Sequence, residues 1–199
     1  MPAQQRGETT KAHIINAAVE TFALNGYDAT GVAEICKTAG TSKGAFYHHF
    51  PSKQTLYLEL LNEWLANIDS QLRRIKDQAS SVPDALLNMI KVFKSIFLTS
   101  QNQIHIFFEF FIKAARDPEV RKAAVEPYRR YHTFFSQLIE QGITDGTIRS
   151  SDPQKLAQII VSLAVGLVMQ GMLNPENTDW GTEAEESVKH FIQQYVERA

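Results

Sequence analysis

Residues 41–50 read Thr41-Ser42-Lys43-Gly44-Ala45-Phe46-Tyr47-His48-His49-Phe50. Ser42 is a favourable N-cap residue, so a short helix is predicted to begin there. Phe46 and Phe50 are four residues apart and share one face of that helix, whereas Lys43 and Tyr47 share another. A helix with an aromatic inner face and a polar outer face is suited to the major groove of DNA.

The residues before this segment predict a second short helix that braces it. Thr30 is a fitting N-cap, apolar residues recur at helical spacing over 32–39, and Gly40 then breaks the pattern. Two short helices joined by a tight turn are the minimum of a helix-turn-helix. An earlier apolar stripe predicts a first helix over about 9–25, closed by Asn25-Gly26. Residues 1–51 therefore form a predicted three-helix head.

The rest of the chain predicts a larger helical body over 52–199. Pro51 stops the short helix, and Ser52 can cap a long connecting helix. The following stripes are wider and more aromatic; Pro127 can start a further helix, and Asp152-Pro153 resembles another helix start. No segment alternates apolar and polar residues for long enough to predict a strand. The predicted fold class is all-α.

Composition is compatible with a globular protein but does not itself indicate a DNA binder. The net charge is −2, and residues 1–53 hold five Lys and Arg against four Asp and Glu. DNA affinity would therefore depend on a few well-placed cations and hydroxyls. One cysteine forms no internal disulfide and no apolar leader opens the chain, so a cytoplasmic location is expected. The apolar run 159–169 is shorter than the roughly 20 residues of a membrane span, which favours a buried helix.

Three segments of the head resemble the amino-terminal signature of TetR-family repressors. They are Tyr27-Asp28-Ala29-Thr30, residues 35–40 and residues 42–53, and the resemblance covers about 9–53. A looser likeness to the dimerisation region of the family begins at Gly142. The resemblance implies a homodimeric transcriptional repressor that binds a palindromic double-stranded operator and responds to a small-molecule effector.

The family also implies roles for matching residues. Thr30 resembles a capping hydroxyl at a helix start that meets phosphate, Tyr47 resembles the aromatic residue that contacts a base methyl or the backbone, and His49 and Lys53 resemble phosphate clamps. The full set of expected DNA-binding residues is Thr30, Thr41, Ser42, Lys43, Gly44, Ala45, Tyr47, His48, His49 and Lys53. Because Ala45 offers only a methyl group, specificity is expected to depend on Lys43, Tyr47 and DNA shape.

Aromatic residues in the body suggest an apolar or aromatic effector. The candidate pocket residues are Trp64, Phe93, Phe97, His105, Phe108, Glu109, Tyr131 and Phe135. Individually, such aromatic residues are more often core than ligand contacts. His105, Glu109 and Lys113 form a polar stripe, which is read either as a solvent-exposed Glu109–Lys113 pair or as pocket groups.

Several alternatives remain open beside this interpretation. His48 and His49 point about 100° apart on a helix, so a shared metal ion is disfavoured, and Cys36 lies on an apolar stripe that favours core packing over redox sensing. The last two helices pack either on their own body or in a four-helix interface with a second chain, and the sequence reading favours the homodimer interface. The rival function is an all-helical carrier or enzyme with a structural helix-turn-helix, but no nucleophile–base set, phosphate loop or cofactor motif supports it.

The mechanism expected from this reading is a shift between two dimer shapes. One shape places the recognition helices about 34–36 Å apart, in successive major grooves, and the effector favours the other. The long helix that begins near Ser52 would transmit the change. A repressor is the preferred reading, and an activator role is the alternative that the sequence leaves open.

Overall fold

The computed structural model describes residues 3–99, 101–149, 151–174, 176 and 178–196; the side chains of 3–6, 93–99, 101–105 and 107 are not described. Within these ranges the secondary structure is helical apart from turns and one isolated bridge, Ile148 with Val196. The predicted all-α class is confirmed. The helices are α1 (Ala3–Asn25), α2 (Val32–Thr38), α3 (Lys43–His49), α4 (Lys53–Gln78), α5 (Val82–Thr99), α6 (Gln101–Arg116), α7 (Pro118–Thr144), α8 (Pro153–Leu173) and α9 (Trp180–Gln193).

The first three helices form the predicted helix-turn-helix head. Helix α1 closes at Gly26, whose φ of +80° is a conformation that glycine adopts without a steric penalty. Gly40 has a φ of +61° and serves the same purpose in the turn between α2 and α3. Ser42 caps α3 as predicted, because its Oγ accepts a hydrogen bond from the Ala45 N–H at 3.1 Å.

The chain divides into two compact units. The first extends to Ala66 and takes in Asn102–Ala123, so it holds α1–α3, the first half of α4, α6 and the start of α7. The second comprises Asn67–Gln101 and Ala124–Ala199. A functional boundary at residue 51 stays a prediction, and the first compact unit is larger than that head.

Aromatic residues form the core of the first unit. Phe22, Tyr27 and Tyr57 have ring centroids 4.4–5.6 Å apart, and Phe110 of α6 lies 6.0 Å from Tyr57. Cys36 is buried, and burial raises the pKa of its thiol. These observations agree with the core-packing interpretation of Cys36.

The second unit has an aliphatic core in which α5, α8 and α9 pack together. Asp152 caps α8 by accepting hydrogen bonds from the backbone N–H groups of Gln154 and Lys155. The prediction that Pro127 starts a helix is wrong: it lies inside α7, where it removes one backbone hydrogen bond, and the helix starts instead at Pro118, whose first-turn position needs no N–H partner. Among the described residues, α8 is the one helix long and apolar enough to cross a membrane by length and composition alone.

Candidate nucleic-acid interface

Helix α3 presents a polar side to solvent. Ser42, Lys43, Gly44 and His48 are exposed, and the Tyr47 side chain is 52% exposed. Thr41 and Ala45 are half-buried at the margins of this side. The structure therefore brings seven of the predicted DNA-binding residues together with His49 on one short helix and the residues that flank it.

The opposite side of α3 is anchored in the first unit. Phe46 has no exposed surface and Phe50 is 2% exposed, with their ring centroids 5.9 Å apart. The ring of Tyr47 meets Phe46 edge to face at 5.3 Å. Burial of two aromatic rings fixes the rotation of the helix about its axis, and that rotation determines which side chains face outward.

His48 and His49 lie at the C-terminal end of α3 with their ring centroids 5.1 Å apart. Burial, the neighbouring His48 and Lys11 lower the pKa of His49, so its imidazole is neutral near pH 7. No group of three or more potential metal ligands occurs among the residues that were described.

Thr30 does not occupy the predicted capping position. Gly31 precedes α2 and supplies no side-chain cap, while Thr30 is 1% exposed. Its hydroxyl lies 2.7 Å from the Gly26 carbonyl oxygen and 3.1 Å from that of Thr21. The prediction that Thr30 caps α2 is wrong, because its hydroxyl binds buried carbonyl oxygens at the C-terminal turn of α1 instead. Its role in DNA binding stays a prediction.

Lys53 is also bound internally. Its Nζ donates to the carbonyl oxygens of Tyr27 at 2.6 Å and Thr30 at 2.8 Å, and it lies 4.2 Å from the centroid of the Tyr27 ring. Burial lowers the pKa of Lys53, and the charge of Asp28 opposes that shift. Its role as a phosphate clamp stays a prediction, and the structure gives the ammonium group a different set of partners.

The Glu109 carboxylate binds the head. Its Oε2 accepts a hydrogen bond from the Tyr27 backbone N–H at 2.6 Å. Lys113, one turn later on α6, has its Nζ 3.7 Å from Asp28 Oδ1 and 4.5 Å from the centroid of the Tyr27 ring. Neither the exposed Glu109–Lys113 pair nor the pocket reading anticipated this contact between α6 and the loop after α1.

The other pocket candidates lie in both compact units. Trp64 and Phe108 are half-buried in the first unit. In the second, Phe135 is part of the aliphatic core, and half-buried Tyr131 is hydrogen-bonded to Asp69, which in turn accepts from Arg130 Nε at 2.8 Å. The side chains of Phe93, Phe97 and His105 lie outside the described residues, so the predicted pocket stays a prediction.

Tyr27 and Tyr57 are central to this region and were missed by the sequence reading. Tyr57 is 1% exposed and its hydroxyl donates to the Ile106 carbonyl oxygen at 2.5 Å, which ties α4 to α6. Burial raises the pKa of Tyr57, which therefore stays neutral. A tyrosine at an otherwise apolar position of α4 was the available signal, because a buried phenol requires a partner.

A two-unit helical protein with an outward-facing recognition helix belongs to the helix-turn-helix class of DNA-binding proteins. Two family models match the chain. Residues 14–60 match "Bacterial regulatory proteins, tetR family", and residues 94–197 match "BetI-type transcriptional repressor, C-terminal". The chain belongs to the TetR family of bacterial transcriptional regulators, and it is a DNA-binding regulator.

Individual relatives extend over most of the chain. The HTH-type transcriptional regulator QacR of Staphylococcus aureus is 28% identical over 161 residues, which is 79% of this chain and 84% of QacR. A transcriptional regulator from Saccharomonospora viridis, solved in complex with choline, has a TM-score of 0.82 at 20% identity and covers 94% of this chain and 98% of its own. FadR from Bacillus subtilis in complex with stearoyl-CoA has a TM-score of 0.79 at 21% identity, with 91% and 97% covered. The two structures show a shared fold.

Proposed function

We propose that the protein is a repressor that binds a palindromic operator as a homodimer and releases it when a small effector binds the body. The observation that carries the proposal is the orientation of α3. Phe46 and Phe50 are buried, whereas Lys43, Tyr47 and His48 face outward. Such a helix can enter the major groove without rearrangement of its own side chains, and the match of residues 94–197 to a family model described as a transcriptional repressor supports the direction of control.

The proposed contacts with DNA bases and phosphates are made by the exposed residues at the start and on the outer side of α3. Lys43 and Tyr47 reach base edges or base methyl groups, and Ser42 and Gly44 allow close approach to phosphate. The test is fluorescence anisotropy with a duplex selected in vitro from a random library. Lys43→Ala and Tyr47→Ala should each cost about 1–3 kcal/mol of binding free energy if the residue reads a base.

Lys76→Ala is the matched control for Lys43→Ala, since it removes the same charge from an exposed position at the end of α4 in the second unit. Its operator affinity should stay within twofold of the parent. Equal losses for Lys76→Ala and Lys43→Ala would mean that only overall charge matters, and full affinity in both α3 variants would remove the recognition role of this helix.

The dimer is proposed to form through α8 and α9. Val165, Met169 and Leu173 are 41%, 50% and 75% exposed on α8, and their spacing of four places them on one stripe. Gly166 is on the same side, and apart from its chain neighbours and its own helix backbone no atom of the described residues lies within 4 Å of where a Cβ would be, which leaves room for close approach of a second helix. A second copy covers this stripe in the proposal, because a two-fold dimer matches a palindromic operator.

Met169→Glu tests this interface. It places a carboxylate in the stripe and should convert the dimer to monomer in sedimentation velocity while weakening operator binding. Tyr128→Glu, at a 48% exposed position on α7, is the control and should leave the dimer intact. A Met169→Glu variant that remains dimeric would move the interface elsewhere.

The effector is proposed to be small and apolar or aromatic, since the body is rich in aromatic residues. The choline and stearoyl-CoA complexes of two structural relatives show that the fold accommodates ligands of different chemistry. Thermal unfolding with 1-naphthol, stearoyl-CoA and choline separates the classes. Saturation at about 100 times Kd should raise Tm by about 5–10 °C. A rise with choline alone would contradict the apolar class.

The proposed setting is the cytoplasm of a bacterium, where a regulator meets its operator. Activation of transcription is the alternative to repression, and one assay distinguishes them. In run-off transcription from a promoter that contains the selected duplex, a repressor lowers transcript yield and effector restores it. A rise in yield on addition of the protein would make it an activator.

A further inference from the structure

The loop between α1 and α2, residues 26–30, is bound by a side chain from a distant part of the sequence. Glu109 Oε2 accepts the Tyr27 backbone N–H at 2.6 Å. A Cβ placed on Gly26 would lie 2.7 Å from Glu109 Oε1, closer than real Cβ atoms approach a neighbour. The carboxylate therefore packs directly on the backbone of Gly26, where a positive φ already requires glycine.

Side chains from two helices form hydrogen bonds with backbone groups of this loop. The Tyr27 N–H binds Glu109 of α6, while the carbonyl oxygens of Tyr27 and Thr30 accept from Lys53 of α4. Lys53 and Lys113 both have their ammonium groups within 4.5 Å of the centroid of the Tyr27 ring. Glu109 and the two lysines thus all contact Tyr27 or its backbone, and the charge of Glu109 also acts on Lys53.

Helix α6 belongs to the first unit, where it contacts α4. The Tyr57 hydroxyl donates to the Ile106 carbonyl oxygen, and buried Phe110 packs near the Tyr57 ring. The loop that α6 holds leads directly into α2, which packs on α3. A displacement of residues 26–30 would therefore shift the base of the helix-turn-helix, although α3 itself makes none of these contacts.

We infer that Glu109 is a positioning residue for DNA binding. Its carboxylate fixes the loop before α2 and thereby the orientation of the recognition helix, without contacting DNA. The inference rests on the proposed function of α3. The expected effect of removing Glu109 is a loss of operator affinity. Simple electrostatics predicts the opposite, because removal of a negative charge from a DNA-binding protein should raise its affinity for DNA.

The experiment measures operator affinity and its salt dependence for Glu109→Ala and Glu109→Gln. Loss of a hydrogen bond to a charged group should weaken binding by about tenfold in the alanine variant. The glutamine variant keeps an acceptor for the Tyr27 N–H and should retain most of the affinity. The slope of log K against log salt should stay unchanged in both, since no phosphate contact is removed.

The affinities of the α3 variants and of the Glu109 variants distinguish failure of this inference from failure of the proposed function. If Lys43→Ala and Tyr47→Ala weaken binding but Glu109→Ala binds as tightly as the parent, or more tightly, Glu109 has no positioning role. If none of these variants weakens binding, the recognition role of α3 fails instead. A smaller slope in Glu109→Ala would indicate a lost phosphate contact and overturn the indirect role.

A double-mutant cycle tests the contact itself. Gly26→Ala introduces both backbone strain and overlap with the Glu109 carboxylate, whereas in the Glu109→Ala background only the strain remains. The loss of stability in denaturant should therefore be smaller in that background. Equal losses in the two backgrounds would show that the carboxylate does not pack on this loop. Should Gly26→Ala fail to fold, the Glu109→Gln and Glu109→Ala affinities decide the question alone.

Discussion

The internal bonding of Lys53 predicts the salt dependence of operator binding. Of the lysines in residues 7–53, Lys37 and Lys43 are exposed, Lys11 is paired with Glu59 at 2.7 Å, and Lys53 donates to two backbone carbonyls. A dimer that uses only the exposed pair neutralises four phosphates, which gives a slope of log K against log salt of about −3.6. Recruitment of Lys53 from both protomers would bring the slope to about −5.4.

Lys53→Ala is the decisive perturbation. We expect it to leave the salt slope unchanged while lowering the free energy of unfolding by about 2 kcal/mol, since the Tyr27 and Thr30 carbonyls lose a charged donor. Lys43→Ala should do the reverse and reduce the slope by about 2, one unit for each protomer. Anisotropy titrations from 50 to 300 mM KCl and urea unfolding measure the two quantities.

The reasoning fails if Lys53→Ala reduces the slope as much as Lys43→Ala does and leaves stability unchanged. That outcome would establish Lys53 as the phosphate clamp implied by the family resemblance. It would also mean that the ammonium group exchanges its backbone partners for phosphate on binding.

Four further predictions concern other residues. Thr30→Val should lower Tm by about 3–6 °C at unchanged salt slope, because one buried hydroxyl hydrogen bond worth about 1–2 kcal/mol is lost; equal stability would contradict its burial. Asp152→Ala should cost about 1 kcal/mol in urea unfolding by removing the cap of α8, and Asp152→Asn should restore most of it. Gly142→Ala should cost about 1–3 kcal/mol, since its Cβ would lie 2.5 Å from Ile148 Cγ1, and the cost should be smaller in an Ile148→Ala background, which lacks that atom. Operator affinity should rise as pH falls from 8 to 6, by up to about tenfold per unit for each histidine, because a phosphate partner raises the lowered pKa of His49, and His49→Gln should abolish that component of the rise.

Protonation of His49 is expected to have opposite effects on the stability of the free protein and on operator affinity. In the free protein the pKa of His49 is lowered, so the folded state disfavours the protonated imidazole and loses stability as pH falls through the unfolded value. The operator complex favours the protonated form if His49 contacts phosphate. Acid should therefore destabilise the free protein through this residue while it strengthens the complex.

The sequence was most informative where structure depends on neighbouring residues. The Ser42 cap and the spacing of Phe46 and Phe50 are local signals, and the structure contains α3 with that cap and that buried face. Thr30 was misassigned because its acceptors at Thr21 and Gly26 belong to the end of α1, and a helix-capping rule considers only the residues that follow.

The contacts of Glu109 were beyond any local rule. It lies 82 residues from Tyr27 in the chain, and the spacing to Lys113 predicts an intrahelical pair as readily as two separate contacts with the head. The one local trace was Gly26, interpreted as a helix terminator. The lack of a side chain at Gly26 also leaves room for the Glu109 carboxylate. That second role is apparent only from the position of α6 in the folded protein.

The head has only a weak positive charge, and several of its cations contact other groups of the protein. Lys53 and Lys113 lie over the Tyr27 ring and Lys11 pairs with Glu59, so these three cations contact groups of the protein itself. A protein of this kind gains little from long-range attraction to DNA and depends instead on how firmly α3 is oriented. Small changes in residues 26–30 should then alter operator affinity, which is why a carboxylate that contacts this loop rather than DNA is expected to matter.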